Sequence, residues 1–99
     1  MISTIEIKIN KEEYLIDTQN KTLYNNQKKY NIETKEIDKI LNIIILWKYD
    51  YGYSNTIDAE EFYIKVTDNN NEETIYQGKG NFPNNYNELK NILESIKNG

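Results

Sequence analysis

Ile5, Ile7 and Ile9 alternate with Glu6 and Lys8 near the N-terminus, whereas Ile37, Ile40, Leu41, Ile44 and Trp47 recur at helical spacing in mid-chain. A period of two sets apolar side chains on one side of a strand, and a period near 3.6 sets them on one side of a helix. A chain that switches between the two folds as sheet plus helix, with one apolar side of each to bury.

The first alternation extends into a meander. Asn10-Lys11 suits a two-residue turn, because Asn tolerates positive φ. That turn sets Ile7 opposite Tyr14, Ile5 opposite Ile16 and, on the outer side, Lys8 opposite Glu13. A second turn at Gln19-Asn20 brings Leu23 opposite Ile16, and residues 25–29 read as a polar loop. The helical pattern starts with Thr34 as N-cap and is expected to end near Tyr51-Gly52. Ile43 to Trp47 place apolar groups all round that helix, which implies burial on two sides, by the sheet and by either the last helix or a second subunit.

Period two returns from Glu60 to Thr67, with Phe62, Ile64 and Val66 inward and Tyr63 and Lys65 outward. A turn at Asn69-Asn70 pairs Ile64 with Ile75 inside and Tyr63 with Tyr76 outside. Gly78-Lys79-Gly80 ends that strand, and Asn85 with Glu88 has the form of a capping box. Tyr86, Leu89, Ile92, Leu93 and Ile96 make the single stripe of a last helix. The expected architecture is one two-layer α+β domain over residues 1–99. Its sheet is antiparallel with about five strands, its helices number two, and its order is βββ-α-ββ-α.

Composition now excludes chemistry. The 99 residues include no His, Cys or Arg, and 12 Lys stand against 16 acids for a net charge of −4. Disulfides, zinc clusters, Cys or Ser-His-Asp nucleophiles and the Arg fork for phosphate are therefore ruled out. The 16 Asn, 16 Ile and 9 Tyr are in large part what AT-rich codons produce. Gly78-x-Gly80 lacks the third glycine of a dinucleotide loop, and its simplest role is a strand exit. Residues 68–73 superficially resemble a calcium loop, but Glu73 and Lys79 stand where Gly and Glu are needed. Asp50, Asp58, Glu60 and Glu61 are close in sequence, yet so short a chain has little room for a cleft beside a core. No enzyme, cofactor or metal is expected. The N-terminus lacks a signal-peptide core, and the longest apolar run, 43–47, is far too short for a bilayer. The expected setting is the cytoplasm, without membrane contact.

Charge is unevenly distributed. Residues 1–50 hold eight Lys and eight acids, so the whole net charge lies in residues 51–99. Asp50, Asp58, Glu60, Glu61, Asp68, Glu72 and Glu73 stand against Lys65 alone in their stretch. Such a segment repels a phosphate backbone and attracts basic proteins. Lys21, Lys28 and Lys29 are too few for direct nucleic-acid binding. Trp47 belongs to the core, while tyrosines adjoin the acids, and Tyr is a frequent interface anchor. The candidate partner-binding residues are Tyr53, Asp58, Glu60, Glu61, Tyr63, Asp68 and Tyr76. They lead to the expectation of a non-catalytic protein-binding module. Its class would be a small acidic inhibitor of phage or mobile-element anti-defence type, or a toxin-immunity protein, covering a basic site on a host nuclease or defence enzyme. The alternative is a homodimer or assembly subunit joined through helix residues 43–47.

Overall fold

The structure, a computed structural model, describes residues 1–54 and 58–99. Among these, seven strands form one sheet and two helices cover one of its faces. The strands are β1 (Ile2–Ile9), β2 (Glu12–Asp17), β3 (Thr22–Asn25), β4 (Lys28–Asn31), β5 (Asp50–Tyr53), β6 (Glu61–Asp68) and β7 (Glu73–Lys79). Helix α1 (Thr34–Ile44) lies between β4 and β5 in the chain, and α2 (Tyr86–Asn98) ends it. The sheet order is β4-β3-β2-β1-β6-β7-β5. The mixed α+β class agrees with the sequence reading, but two strands and one parallel pairing go beyond it.

The meander forms in the expected register, with Ile7 opposite Tyr14, Ile5 opposite Ile16, Lys8 opposite Glu13 and Ile16 opposite Leu23. Asn10 turns the chain at φ 53°. At the next turn Asp17 accepts the backbone N–H and the side-chain amide of Asn20, and the N–H of Gln19, and these bonds hold its carboxyl below the usual range.

Residues 25–29 are not a loop. Asn26 and Gln27 both take positive φ, the requirement of a type I′ turn, and β4 pairs behind them on β3. β4 carries no apolar alternation because it is an edge. Lys28 and Lys29 protect it from further pairing, so hydrophobic periodicity cannot reveal it.

The first helix is shorter than expected. Its N-cap is Glu33, whose backbone N–H bonds to the Glu36 carboxylate at 2.8 Å. It ends at Ile44, where the Ile45 N–H caps on Leu41 and the Trp47 N–H turns back to the Ile44 carbonyl. Ile37, Ile40 and Ile44 are buried, as is Trp47. Ile45 and Leu46, by contrast, are 72 % and 81 % exposed. Within this chain the last helix therefore does not cover the second side: the turn directs these two side chains to solvent. Residues 50–53 then become β5, parallel to β7, because β7 has a free edge to satisfy. Gly52, at φ 81°, lies at an irregularity of β5 and caps no helix.

The β6–β7 hairpin shows the other difference. Its loop is four residues, 69–72, closed by Asp68, whose Oδ1 accepts the N–H groups of Asn70 and Glu72. The register therefore slips by one from the expected pairing. Ile64 faces Tyr76, and Lys65 faces Ile75. One residue of slip exchanges the faces of the whole strand. Tyr76 is accordingly buried and Ile75 is 38 % exposed on the open face.

The core lies between the helices and the inner sheet face, with Ile5, Ile7, Ile16, Leu23, Ile40, Ile44, Ile64, Leu89 and Leu93 all fully enclosed. Asn85 does precede α2, but its side chain makes no cap. Its Oδ1 instead accepts the Trp47 indole N–H. No described helix is long and apolar enough to cross a membrane.

Candidate functional site

The start of β6 is where distant parts of the chain are tied together. Asn10, at the tip of the first turn, donates its backbone N–H to the Glu61 carbonyl and accepts the Glu61 N–H on its side chain, each at 3.0 Å. Gly80 donates to the Glu60 carbonyl, and Ser54 donates to the Lys79 carbonyl. The exit of β7 and the first turn therefore meet at residues 60–61, and edge strand β5 joins them through Lys79.

Five of the seven candidates gather there. Tyr53, Glu61 and Tyr63 line an open groove of about 340 Å³ together with Asp50, Gln77 and Lys79. Asp58 and Glu60 line a neighbouring hollow with Glu61 and Lys90. Asp68 is absent from the cluster. It closes the far end of β6, seven residues and roughly 23 Å from Glu61 at strand rise. Tyr76 is also absent, and its expected outward placement is corrected. It lies on the helix-covered face, 7 % exposed, with its ring centre 5.6 Å from that of Tyr49, and burial raises its phenol above the ordinary value.

The gathered residues differ in state. Glu60 accepts the Tyr86 phenol and is bridged by Lys90 at 3.2 Å. Tyr86 sits among Phe82, Phe62 and Trp47, with ring centres 4.6, 5.3 and 6.3 Å away. Burial, reinforced by the bond to Glu60, drives its phenol far above the usual range. Glu60 is thus an anchor for the aromatic cluster beneath the site. Glu61 meets Lys79 at 3.5 Å, and the Lys79 ammonium lies 5.9 Å from the centre of the Tyr53 ring. Lys8 stands 5.7 Å from the centre of the Tyr63 ring. Tyr53 is 85 % exposed.

The linear charge count thus overstated the acidity. Lys8, Lys79 and Lys90 come from outside the acidic segment and fold back onto it. Asp50 and Asp58 stay exposed, and among the described residues neither has a lysine partner. The sequence reading missed Lys79 as a site residue, because its position beside Tyr53 depends on the parallel β5–β7 pairing. It also missed Asn10, whose only local signal was a turn. No group of three carboxylates capable of holding a metal occurs among the described residues. Carboxylates beside exposed phenol rings attract cations, by charge and by the ring quadrupole. Comparison with protein-family models, curated proteins and solved structures finds no match for this chain.

Proposed function

We propose that this protein is a non-catalytic binding module, a small acidic inhibitor of anti-defence or toxin-immunity type. It would cover a basic site on a nuclease or defence enzyme in the cytoplasm. The observation that supports this reading is the gathering of Tyr53, Asp58, Glu61 and Tyr63 around one open end of the sheet. Aromatic rings there supply contact area, and Asp50 and Asp58 add charge that no lysine among the described residues pairs with. Occlusion would be steric and electrostatic. Charge reversal at Asp58 and Glu61 together should slow association with a basic protein partner isolated by affinity capture on the tagged chain, and flatten its salt dependence, as read by stopped-flow at two ionic strengths. Unchanged rates and salt slope in that variant would refute the electrostatic mechanism. Glu60 is unsuited to reversal, because a lysine there would face Lys90 and strip Tyr86 of its acceptor.

A second reading, self-association, is favoured by one observation: Ile45 and Leu46 stand in solvent directly after α1. Light scattering at micromolar concentration decides it. A dimer that Leu46→Asp converts to monomer supports this reading, and a monomeric wild type ends it.

A further inference from the structure

We propose that the groove over β7, flanked by β5 and β6, seats an arginine side chain of the protein partner, and that Lys79 holds this seat in the free chain. The proposal deepens the protein-binding reading and rests on it. The Lys79 ammonium already lies in the angle between the Tyr53 ring and the Glu61 carboxylate, 5.9 Å from the ring centre and 3.5 Å from Oε1. An angle of that kind stabilises a cation twice, through the ring face and through the carboxylate. Three further features suit an incoming side chain. Tyr53 stands 85 % exposed on an edge strand. Asp50 and Tyr63 line the same groove. Gly52, also in its wall, projects no side chain, and a Cβ there would meet open space.

Arginine fits better than lysine. Its planar fork pairs with a carboxylate through two parallel hydrogen bonds and stacks flat on an aromatic ring, neither of which an ammonium does. This chain contains no arginine of its own, so the internal occupant is the weaker of the two cations. A part-exposed Lys–Glu pair contributes little, and its exchange for an arginine fork costs correspondingly little.

The test uses fluorescein-labelled hexa-arginine and hexa-lysine peptides, titrated into the whole protein by anisotropy at low salt, with amide shifts mapped by NMR. Hexa-arginine should bind several-fold more tightly than hexa-lysine, with shifts centred on Tyr53, Glu61 and Gln77. Lys79→Met, which keeps the stem but empties the seat, should tighten binding about five-fold, and Glu61→Gln and Tyr53→Ala should each weaken it by a similar factor. Glu72→Gln, at the far end of the hairpin, should change it little. Equal affinity in wild type and Lys79→Met, or equal weakening by Glu72→Gln and Glu61→Gln, would overturn the seat. Binding mapped to Asp58 alone would overturn it while sparing the wider protein-binding reading. No binding by any variant would remove both.

Discussion

Gly78 stands opposite Phe62 in the β6–β7 ladder, where an added Cβ would lie 2.8 Å from the Phe62 ring and 2.9 Å from both Tyr51 Cβ and the Asn81 carbonyl. The carbonyl is backbone and cannot swing aside. Gly78→Ala should therefore destabilise the fold by about 1–3 kcal/mol, seen as a lower urea midpoint with an unchanged slope. The glycine spacing in 78–80 does mark the end of a strand, since β7 closes at Lys79. Its cause, however, is close packing, which no local pattern announces. Trp47 shows the same division. Its place in the core was legible from its position on the helical stripe. Its bond to Asn85, 38 residues away, was not, and it diverts the residue that spacing assigned to a capping box.

At the scale of elements, apolar content identified strands and helices where one face is buried, and failed where an edge or a turn decides. β1, β2, β6 and α2 have a solvent side and a core side, so their period survives in sequence. β4 and β5 are four-residue edge strands whose existence depends on a neighbour offering free backbone groups. The end of α1 is the sharpest case. Ile43 to Trp47 looked like continuous helix, yet Ile44 is 1 % exposed and Leu46 is 81 % exposed. Ile44→Ala should cost about 2–5 kcal/mol of folding stability. Leu46→Ala should stay within about 0.5 kcal/mol. Comparable losses at both positions in urea denaturation would show that the helix continues.

For the molecule as a whole, one-sided cover of the sheet sets the chemistry of the two faces. On the open face Lys65 bridges Glu6 and Glu73, and its ammonium is held above the ordinary value, chiefly by Glu73. Under the helices Tyr14, Tyr76 and Tyr86 are all raised above 10.0, with burial as the leading cause. A phenol raised by folding contributes stability that is intact below its unfolded value near 10.0 and is lost as pH climbs beyond it. The protein should therefore lose stability above about pH 10, and Tyr86, the phenol driven furthest up, should ionise only as it unfolds. Absorbance at the tyrosinate band, followed beside circular dichroism, checks this. Tyr86→Phe should reduce the alkaline loss, and a single unbroken titration of all tyrosines before unfolding would contradict it.

Sequence by itself determined the class of the fold, the register of the meander, most of the core and the chemistries that missing His, Cys and Arg exclude, because these depend on side-chain identity and local period. Tertiary structure alone decided the seven-strand order, the parallel β5, the one-residue slip at β7 and the return of Lys8, Lys79 and Lys90 to the acidic segment. Backbone pairing at an edge and charge pairing in space are both settled by which strands become neighbours. That is a property of the packed chain, and hydrophobic period does not carry it.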